Sequence, residues 1–537
     1  MKCDKIDISK VHSASCVTLI TLSMIGIMLA IYLTLLSTHY DLNGIIEARA
    51  IESGEVDDLF SPHHMLYRTL GLAFYQLWRL TGYSGRSLVP LQVLSGIAGA
   101  FGTGVFFVIL THLTRSNLIS LLIAIGYGFS YGYWVHCEDA YYIIPATFFV
   151  ILSLWLLLLT WKSKGNMWQP LWLGLASGLA VLFWQANVFF VIVVGLGLWT
   201  SDKPWQTKLK DFGLYAIVIG VVCSAVYLTI GWLVFDCRSS GDFLTWLTTY
   251  RTALPIWGSF DLSRVVLVAQ TLVATFIPLK RGLGLHRLLD GALVLDKLIP
   301  QLSLVACGVG LLLVGFGMFR HGRWLKERHG VLLLLCMIWF ALFAVFNTWW
   351  DPYEVKWWVI PVISVWIVAT LVWAEVESRV QGWKKRGVVA MAIALIGIIA
   401  AANFTAATLP DHATPNEELE IALRFGEHMA PNDLLVSADW GWSGYIPYFA
   451  HRDVLNLINV SATGYDRAEL LSLLDGEIKS RFHQNARVFI VDVFGYNADH
   501  WAWLTYNTGL ELADLVRYKC QPAWQYEDRI VWEIVQR

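Results

Sequence analysis

Charged residues are scarce in this chain. Asp, Glu, Lys and Arg make up 15% of its 537 residues, whereas they make up about 25% of an average soluble protein. Disorder is excluded, because a disordered chain needs low hydrophobicity and high charge. Hydrophobic residues make up 56% of the sequence, and the mean hydropathy is +0.55. A soluble protein of this length could not bury so much apolar surface, so we expect a polytopic α-helical membrane protein.

The sequence also lacks the patterns of several common functional sites. Its net charge is -2 and no stretch is rich in Lys or Arg, so no nucleic-acid partner is expected. The 8 cysteines are scattered and form no Cys-x-x-Cys pair, which argues against a zinc site or a redox motif. No internal repeat of about 20–50 residues stands out. No cofactor is therefore expected, although a divalent cation bound by acidic residues stays open.

The apolar stretches predict about eleven membrane spans of about 20 residues each. The first, residues 15–37, is longer than a signal-peptide core and lacks a small-residue cleavage site, so we expect an uncleaved span. Residues 171–200 are interrupted by Gln185 and Asn187, which predicts two short helices. Residues 264–298 are predicted to be interfacial or re-entrant, with a single crossing as the alternative. The other predicted spans are residues 88–110, 118–135, 143–161, 212–235, 299–319, 331–346, 358–374 and 388–402.

Basic residues in the short loops predict the orientation. If the basic loops at residues 320–328 and 379–386 lie in the cytoplasm, the N-terminus is cytoplasmic and the C-terminus is extracytoplasmic. Residues 1–404 then form a polytopic membrane domain, and residues 405–537 are enough for a small extracytoplasmic domain. Two predicted amphipathic helices and two predicted buried strands indicate an α/β fold for this tail. They are Glu417–His428, residues 467–482, Leu434–Ser437 and residues 487–493.

Asp41 directly follows the first predicted span, where it would lie at the bilayer surface within reach of a lipid-linked substrate. A carboxylate in this place can act as a general base that takes the proton of an attacking hydroxyl. Asp41 also stands where it can cap the helix that follows, and capping does not exclude catalysis. Glu47 in the same segment and the sequence Ser-Pro-His63-His64 further along it are candidates for substrate binding.

This arrangement resembles the GT-C glycosyltransferases, and among them most the protein mannosyltransferase and aminoarabinose transferase superfamily, whose members use polyprenyl-phosphate sugars. The resemblance rests on a first span, a loop that opens with an acidic residue, amphipathic helices and a His/Pro cluster before the next apolar stretch. It implies that Asp41 is the catalytic aspartate of the first loop. It places His63 and His64 where relatives often have His-Pro-Pro, and an interfacial role for both stays open. Two histidines alone do not make a metal site.

Two further candidates are predicted on the same side of the membrane. Glu138 and Asp139, between the third and fourth spans, can bind the acceptor, raise the pKa of a neighbour or hold a divalent ion. Lys356 stands before a late span, where it can neutralise a leaving phosphate. The resemblance implies an acidic and a basic residue at these two places. The alternatives are a solvated loop for the acids, with its tyrosines in the aromatic belt, and a snorkelling lysine.

Together these residues predict a membrane glycosyltransferase that moves a sugar from a polyprenyl-phosphate donor to a protein, lipid or glycan acceptor on the extracytoplasmic face. Asp41 is its general base, and membrane lipid is an expected partner. A transporter or flippase is one alternative, but such proteins usually place ionisable sites near the midplane, often with inverted repeats. A polysaccharide polymerase or ligase is another, which shares the lipid donor but not the first-loop aspartate. The predicted substrate-binding residues are Glu47, His63, His64, Glu138, Asp139 and Lys356.

Overall fold

The computed structural model describes residues 8–163, 165–248, 260–278, 295–491, 498–526 and 529–535. Most of this part of the chain is helical, and a small sheet lies near its C-terminal end. The helices are α1 (Ile8–Thr34), α2 (Leu42–Ser53), α3 (Tyr67–Leu80), α4 (Leu88–Thr114), α5 (Asn117–Gly128), α6 (Tyr131–Glu138), α7 (Ile143–Lys162), α8 (Trp168–Phe183), α9 (Val188–Trp199), α10 (Trp205–Leu233), α11 (Ser240–Leu247), α12 (Leu262–Ala274), α13 (Leu295–Trp349), α14 (Val362–Arg379), α15 (Gly382–Asn403), α16 (Leu409–Ala413), α17 (Glu417–His428), α18 (Trp440–Tyr445), α19 (Leu457–Ala462), α20 (Arg467–His483), α21 (Ala498–Thr508) and α22 (Leu512–Val516). The strands are β1 (Leu434–Ser437), β2 (Asp453–Asn456), β3 (Val488–Ile490), β4 (Cys520–Tyr526) and β5 (Arg529–Ile534).

Six helical segments of the described chain are long and apolar enough to cross a membrane, which makes this a multi-pass membrane protein. If the bent pair α5 and α6 is one broken span, the number is seven. The predicted number of about eleven is not confirmed, because several predicted spans are short helices and two of them lie in one helix, α13, which is kinked at His329. The six segments are Ser15–Thr34, Leu88–Thr114, Ile143–Lys162, Trp205–Leu233, Gln301–Trp349 and Gly382–His428.

Helices α8 and α9 confirm the predicted break at Gln185 and Asn187. A 3-10 turn, Gln185–Asn187, separates them. The Asn187 side-chain amide donates to the Ala180 carbonyl at 2.8 Å, and the Gln185 N–H donates to the His63 carbonyl at 2.9 Å. The Asn187 side-chain amide and the Gln185 N–H thus have hydrogen-bond partners at the break, as donors in an apolar surrounding require.

The predicted span over residues 118–135 corresponds to α5 and α6, which are bent by 62° and form a broken span or a re-entrant loop. The N–H groups of Tyr131 and Gly132 donate to the carbonyls of Phe276 and Thr275, at 3.3 and 2.9 Å. The bend is therefore stabilised by backbone bonds to the segment after α12. It directs the end of α6 towards the end of α1, where the Ser37 N–H donates to the Glu138 carbonyl at 2.9 Å.

The segment predicted to be interfacial or re-entrant is described only in part. Helix α12 has 13 residues, which is shorter than the about 20 residues of a membrane crossing. Residues 279–294 lie outside the described residues. The choice between a re-entrant segment and a crossing stays a prediction.

The C-terminal sheet has the strand order β2-β1-β3-β5-β4. Strand β1 pairs in parallel with β2 and β3, and β5 pairs antiparallel with β3 and β4. The predicted helices become α17 and α20, and the predicted strands become β1 and the shorter β3. The boundary between residues 404 and 405 stays a prediction, since the helical backbone continues from α15 through the π-helical turn Phe404–Thr408 into α16.

The two faces of the sheet belong to different cores. Leu434 and Val436 of β1 pack in one cluster with side chains of α20. Leu435 lies between them in β1 and points to the opposite face, as does its partner Phe489 in β3. Both belong to the large core that continues into the membrane helices. Because successive side chains of a strand point to opposite faces, the sheet is anchored to the membrane part through one face.

Candidate active site

Asp41 is the N-cap of α2, as its position after the first span predicts. Its Oδ1 accepts hydrogen bonds from the backbone N–H and the side-chain amide of Asn43, both at 2.7 Å. Within the described part of the chain, Oδ2 accepts no hydrogen bond. One carboxylate oxygen thus fixes the helix and the side chain, and the other is available for a proton.

Asp139 lies against Asp41. Its Oδ2 accepts a hydrogen bond from the Asp41 N–H, and its Oδ1 accepts one from the Ala140 N–H, both at 2.6 Å. Burial and the negative charge of Asp41 raise the pKa of Asp139 to about 7. Close approach of the two segments requires glycine at position 44, because a Cβ there would stand 2.7 Å from the Ala140 carbonyl oxygen.

Glu138 has other hydrogen-bond partners than Asp139. Its carboxylate accepts a hydrogen bond from the Trp134 indole, and its side chain is buried. The two neighbouring acids that were predicted together therefore have different surroundings. Asp139 contacts Asp41, whereas Glu138 fixes the end of α6.

Lys356 comes to the same site from a distant part of the sequence. It lies in the 3-10 turn Val355–Trp358, and its side chain is 11% exposed. Its Nζ lies 3.7 Å from a Glu354 oxygen and 5.5 Å from the ring centroid of Tyr141. Burial lowers the pKa of Lys356, but the negative charges of Glu354 and Asp41 outweigh it and raise the pKa above its ordinary value. The ammonium is thus a buried cation within electrostatic range of Asp41.

Tyr141 and Tyr142 link the candidate residues; a place in an aromatic belt was the alternative that the sequence left open for them. Both side chains are buried, and their rings stack with 4.6 Å between the ring centroids. The ring of His64 stacks on that of Tyr142 with 4.4 Å between the centroids. The centroid of the His136 ring lies 5.3 Å from that of Tyr141. A signal for this was present in the sequence, since only Ala140 separates the two tyrosines from the acidic pair.

Glu47 lies at the far end of this stack in a buried ion pair. Its carboxylate accepts a hydrogen bond from Arg68 Nε at 2.8 Å, and His64 Nε2 lies 3.4 Å away. Burial favours the neutral acid, but the charge of Arg68 and the contact with His64 outweigh it and lower the pKa of Glu47. Arg68 is a residue that the sequence analysis missed. A basic residue downstream of an acidic segment was the available signal.

His64 is buried and His63 is half-buried, and an interfacial role for the two histidines stays a prediction. His63 Nδ1 lies 3.0 Å from Gln185 Oε1. Burial lowers the pKa of each histidine to about 4. His63 therefore contacts the break between α8 and α9, whereas His64 contacts Glu47, and the two neighbours serve different parts of the structure.

No group of three or more His, Cys, Asp or Glu side chains within the described ranges is placed to hold a metal ion.

The structure brings a residue from the C-terminal region to the first loop. The Asp411 carboxylate accepts hydrogen bonds from the N–H groups of Thr38 and His39, at 2.9 and 3.0 Å. Sequence analysis did not find this contact, because nothing local marks Asp411 as a partner of the first loop.

The fold is that of the GT-C membrane glycosyltransferases, as the resemblance predicted. The chain is similar to ArnT from Cupriavidus metallidurans bound to undecaprenyl phosphate, with a TM-score of 0.59 and 12% identity over 96% of this chain and 98% of that chain. It is also similar to the apo oligosaccharyltransferase of Archaeoglobus fulgidus, with a TM-score of 0.56 and 13% identity over 93% of this chain and 72% of that chain.

A third similar structure is the Archaeoglobus fulgidus oligosaccharyltransferase AglB in complex with an inhibitory peptide and a dolichol-phosphate. Its TM-score is 0.55 and its identity 14%, over 93% of this chain and 72% of that chain. No protein-family model and no curated protein matches the sequence. The similarity to the solved structures thus establishes the fold of the chain.

Proposed function

We propose that the protein is a membrane glycosyltransferase that moves a sugar from a polyprenyl-phosphate donor to an acceptor, with Asp41 as general base and Lys356 as a contact of the leaving phosphate. The observation that carries this proposal is that the charges of these two side chains lie within electrostatic range of each other. Asp41 has an oxygen available for a proton, and a buried lysine lies within range of its charge. A base and a fixed cation at one place match the two charges that develop in glycosyl transfer.

In the proposed step, the acceptor hydroxyl oxygen attacks the anomeric carbon of the donor sugar, and the bond from that carbon to the phosphate oxygen breaks. The electron pair of the broken bond leaves with polyprenyl phosphate. The hydroxyl proton moves to Asp41 Oδ2. Negative charge grows on the departing phosphate oxygen, where the ammonium of Lys356 stabilises it. Attack opposite the phosphate inverts the anomeric configuration.

The donor class is supported by what the similar proteins bind. The ArnT structure holds undecaprenyl phosphate, and the AglB structure holds a dolichol-phosphate. Both ligands are long isoprenoid phosphates, and a GT-C fold with a buried lysine near its candidate base suits the same chemistry. The acceptor class, protein, lipid or glycan, stays open in the proposal.

We place the candidate site on the extracytoplasmic face. Helix α14 begins just after the turn that holds Lys356, and its 18 residues end at Arg379, about 27 Å away at 1.5 Å per residue. At that far end, the guanidinium groups of Arg328 and Arg379 lie over the ring of Trp324, 5.0 and 5.7 Å from its centroid. Basic loops favour the cytoplasm, so the site lies on the opposite face. A protease-accessible tag at Arg537 in intact cells supports this orientation, and cleavage only after lysis contradicts it.

Transfer is tested with the purified full-length protein in lipid nanodiscs. The donors are undecaprenyl phosphates that carry radiolabelled mannose, glucose or aminoarabinose, and a membrane extract supplies the acceptors. Labelled product and released undecaprenyl phosphate are measured. We expect transfer from at least one donor, and Asp41→Asn should reduce it by at least about a hundredfold, within the range for loss of a general base.

The matched control is Asp57→Asn, since Asp57 is an exposed acid in the same loop. This variant should transfer at the wild-type rate. Near-normal transfer by folded Asp41→Asn protein removes Asp41 from the catalytic role. No transfer from any of the three donors by the wild type contradicts the proposed function.

A further inference from the structure

The peptide group between Tyr40 and Asp41 is held at both of its ends. Its N–H, which belongs to Asp41, donates to Asp139 Oδ2 at 2.6 Å. Its carbonyl, which belongs to Tyr40, accepts a hydrogen bond from the Tyr445 hydroxyl at 2.6 Å. Asp139 belongs to the loop after α6, whereas Tyr445 ends α18 in the C-terminal region. Two distant parts of the chain thus fix one peptide plane.

Helix α18 follows strand β1 after a short turn, and this turn brings the helix to the peptide. Strand β1 ends at Ser437, and Asp439 then caps α18 by accepting a hydrogen bond from the Gly441 N–H at 2.8 Å. The helix packs closely on α2: a Cβ at Gly444 would overlap the side chain of Leu42. Glycine at this position therefore lets the end of α18 approach the residues that surround Asp41.

The Tyr445 hydroxyl belongs to a buried side chain. Tyr445 is 4% exposed, and its hydroxyl oxygen accepts a hydrogen bond from Asn416 Nδ2 at 3.4 Å. The same Asn416 amide donates to the Thr38 carbonyl at 2.8 Å. Burial raises the pKa of Tyr445, so the phenol keeps the proton that it donates to the Tyr40 carbonyl.

The orientation of this peptide decides where the Asp41 side chain stands. The backbone torsion φ of Asp41 is -64°, and rotation of the preceding peptide would move the Asp41 carboxylate relative to the charge of Lys356. In proximity-driven catalysis, a displacement of about 1 Å can cost about a hundredfold in rate. A hydrogen bond that removes this freedom therefore acts on turnover more than on substrate binding.

We infer that Tyr445 is a positioning residue for Asp41, and that the C-terminal region completes the candidate active site through this hydroxyl. The inference rests on the proposed glycosyl transfer with Asp41 as base. It assigns to the C-terminal region a part in turnover rather than only in stability.

The test compares Tyr445→Phe with Tyr448→Phe. Tyr448 is a matched control, because it lies in the neighbouring π-helical turn, is 1% exposed and donates its hydroxyl hydrogen to Glu52 at 2.9 Å, near the C-terminal end of α2, rather than to the backbone beside Asp41. Each variant loses one buried hydroxyl. Rates are measured in nanodiscs with the undecaprenyl-phosphate donor that the wild type uses, and they are normalised to the folded protein in the monodisperse gel-filtration peak.

We expect Tyr445→Phe to lower kcat about tenfold, a part of the effect that full misplacement would have, while KM for the donor stays within about twofold. Tyr448→Phe should lower the unfolding temperature to a similar extent, with kcat close to wild type. In the Asp41→Asn background, Tyr445→Phe should lower the residual rate no further, because both changes act through one group.

Equal kcat values for the two phenylalanine variants overturn the inference, as does an effect of Tyr445→Phe confined to KM. In that case an inactive Asp41→Asn variant leaves the proposed function intact. An active Asp41→Asn variant contradicts the proposed role of Asp41 itself, so the two failures are distinguishable.

Discussion

The guanidinium carbon of Arg86 lies 3.4 Å from the ring centroid of Tyr448, and the guanidinium also donates to the Tyr448 carbonyl. Both residues contact Glu52: Arg86 donates to Oε2 at 2.6 Å, and the Tyr448 hydroxyl donates to Oε1 at 2.9 Å. Burial favours the neutral form of Glu52, but hydrogen bonds from Arg86 and Ser87 outweigh it and lower the pKa. This cluster attaches the C-terminal region to the membrane part beside the candidate site.

Arg86→Ala should loosen this attachment. The substitution leaves the Glu52 carboxylate without its cation and removes the contact with the Tyr448 ring. Because the guanidinium is partly exposed, we expect a cost of about 1–2 kcal/mol rather than that of a fully buried pair. A lower unfolding temperature in detergent and faster proteolysis in the C-terminal region would show it. Arg49→Ala, at an exposed position of α2, is the control, and equal behaviour of the two variants would contradict the prediction.

Lys356→Ala should slow transfer and raise the donor concentration that transfer requires. Lys356→Arg, which keeps a cation, should change the rate and the donor requirement less. Charge on the departing phosphate grows as the bond to the sugar breaks, so a fixed cation matters most in the transition state. Loss of one such contact costs on the order of 3 kcal/mol, about a hundredfold in rate. Initial rates against donor concentration measure both effects.

Lys210→Ala removes an exposed lysine and serves as the control for the lysine variants. Its kinetics should match those of the wild type. An alanine variant at position 356 that stays within about threefold of the wild-type rate would behave as an interfacial anchor. Such a result would remove Lys356 from the proposed mechanism.

Acidification should destabilise the protein through His63 and His64. Their pKa values are lowered to about 4 in the folded state, whereas an unfolded histidine has a pKa of about 6.5. Between about pH 6.5 and pH 4 the unfolded chain therefore binds protons that the folded chain does not, and stability falls as the pH falls. The double variant His63→Asn/His64→Asn should lose less stability over this interval.

The measurement is the unfolding temperature as a function of pH, compared between the double variant and the wild type. His451→Asn is the control, because His451 is exposed and its φ of 53° is one that asparagine adopts readily. This control should keep the wild-type pH dependence. A double variant with an unchanged slope would show that the two histidines titrate in the folded state as they do in the unfolded chain.

The sequence by itself determined the elements whose signals are local. The helix Glu417–His428 and the strand Leu434–Ser437 have the predicted bounds, because the apolar periodicity of a helix and the apolar run of a buried strand are visible over a few residues. The break at Gln185 and Asn187 was visible for the same reason, as polar residues in an apolar stretch. Asp41 as an acidic residue shortly after a span and as a helix cap also needed only its neighbours in the chain.

Only the tertiary structure decided which candidates meet. It gave Glu138 and Asp139 different hydrogen-bond partners, brought Lys356 within electrostatic range of Asp41, and added Tyr445 from the C-terminal region. These contacts join residues far apart in the chain, and no local pattern encodes them. They depend on the bend between α5 and α6 and on the close packing of α18 against α2, which arise only when the bundle and the sheet bury their surfaces together.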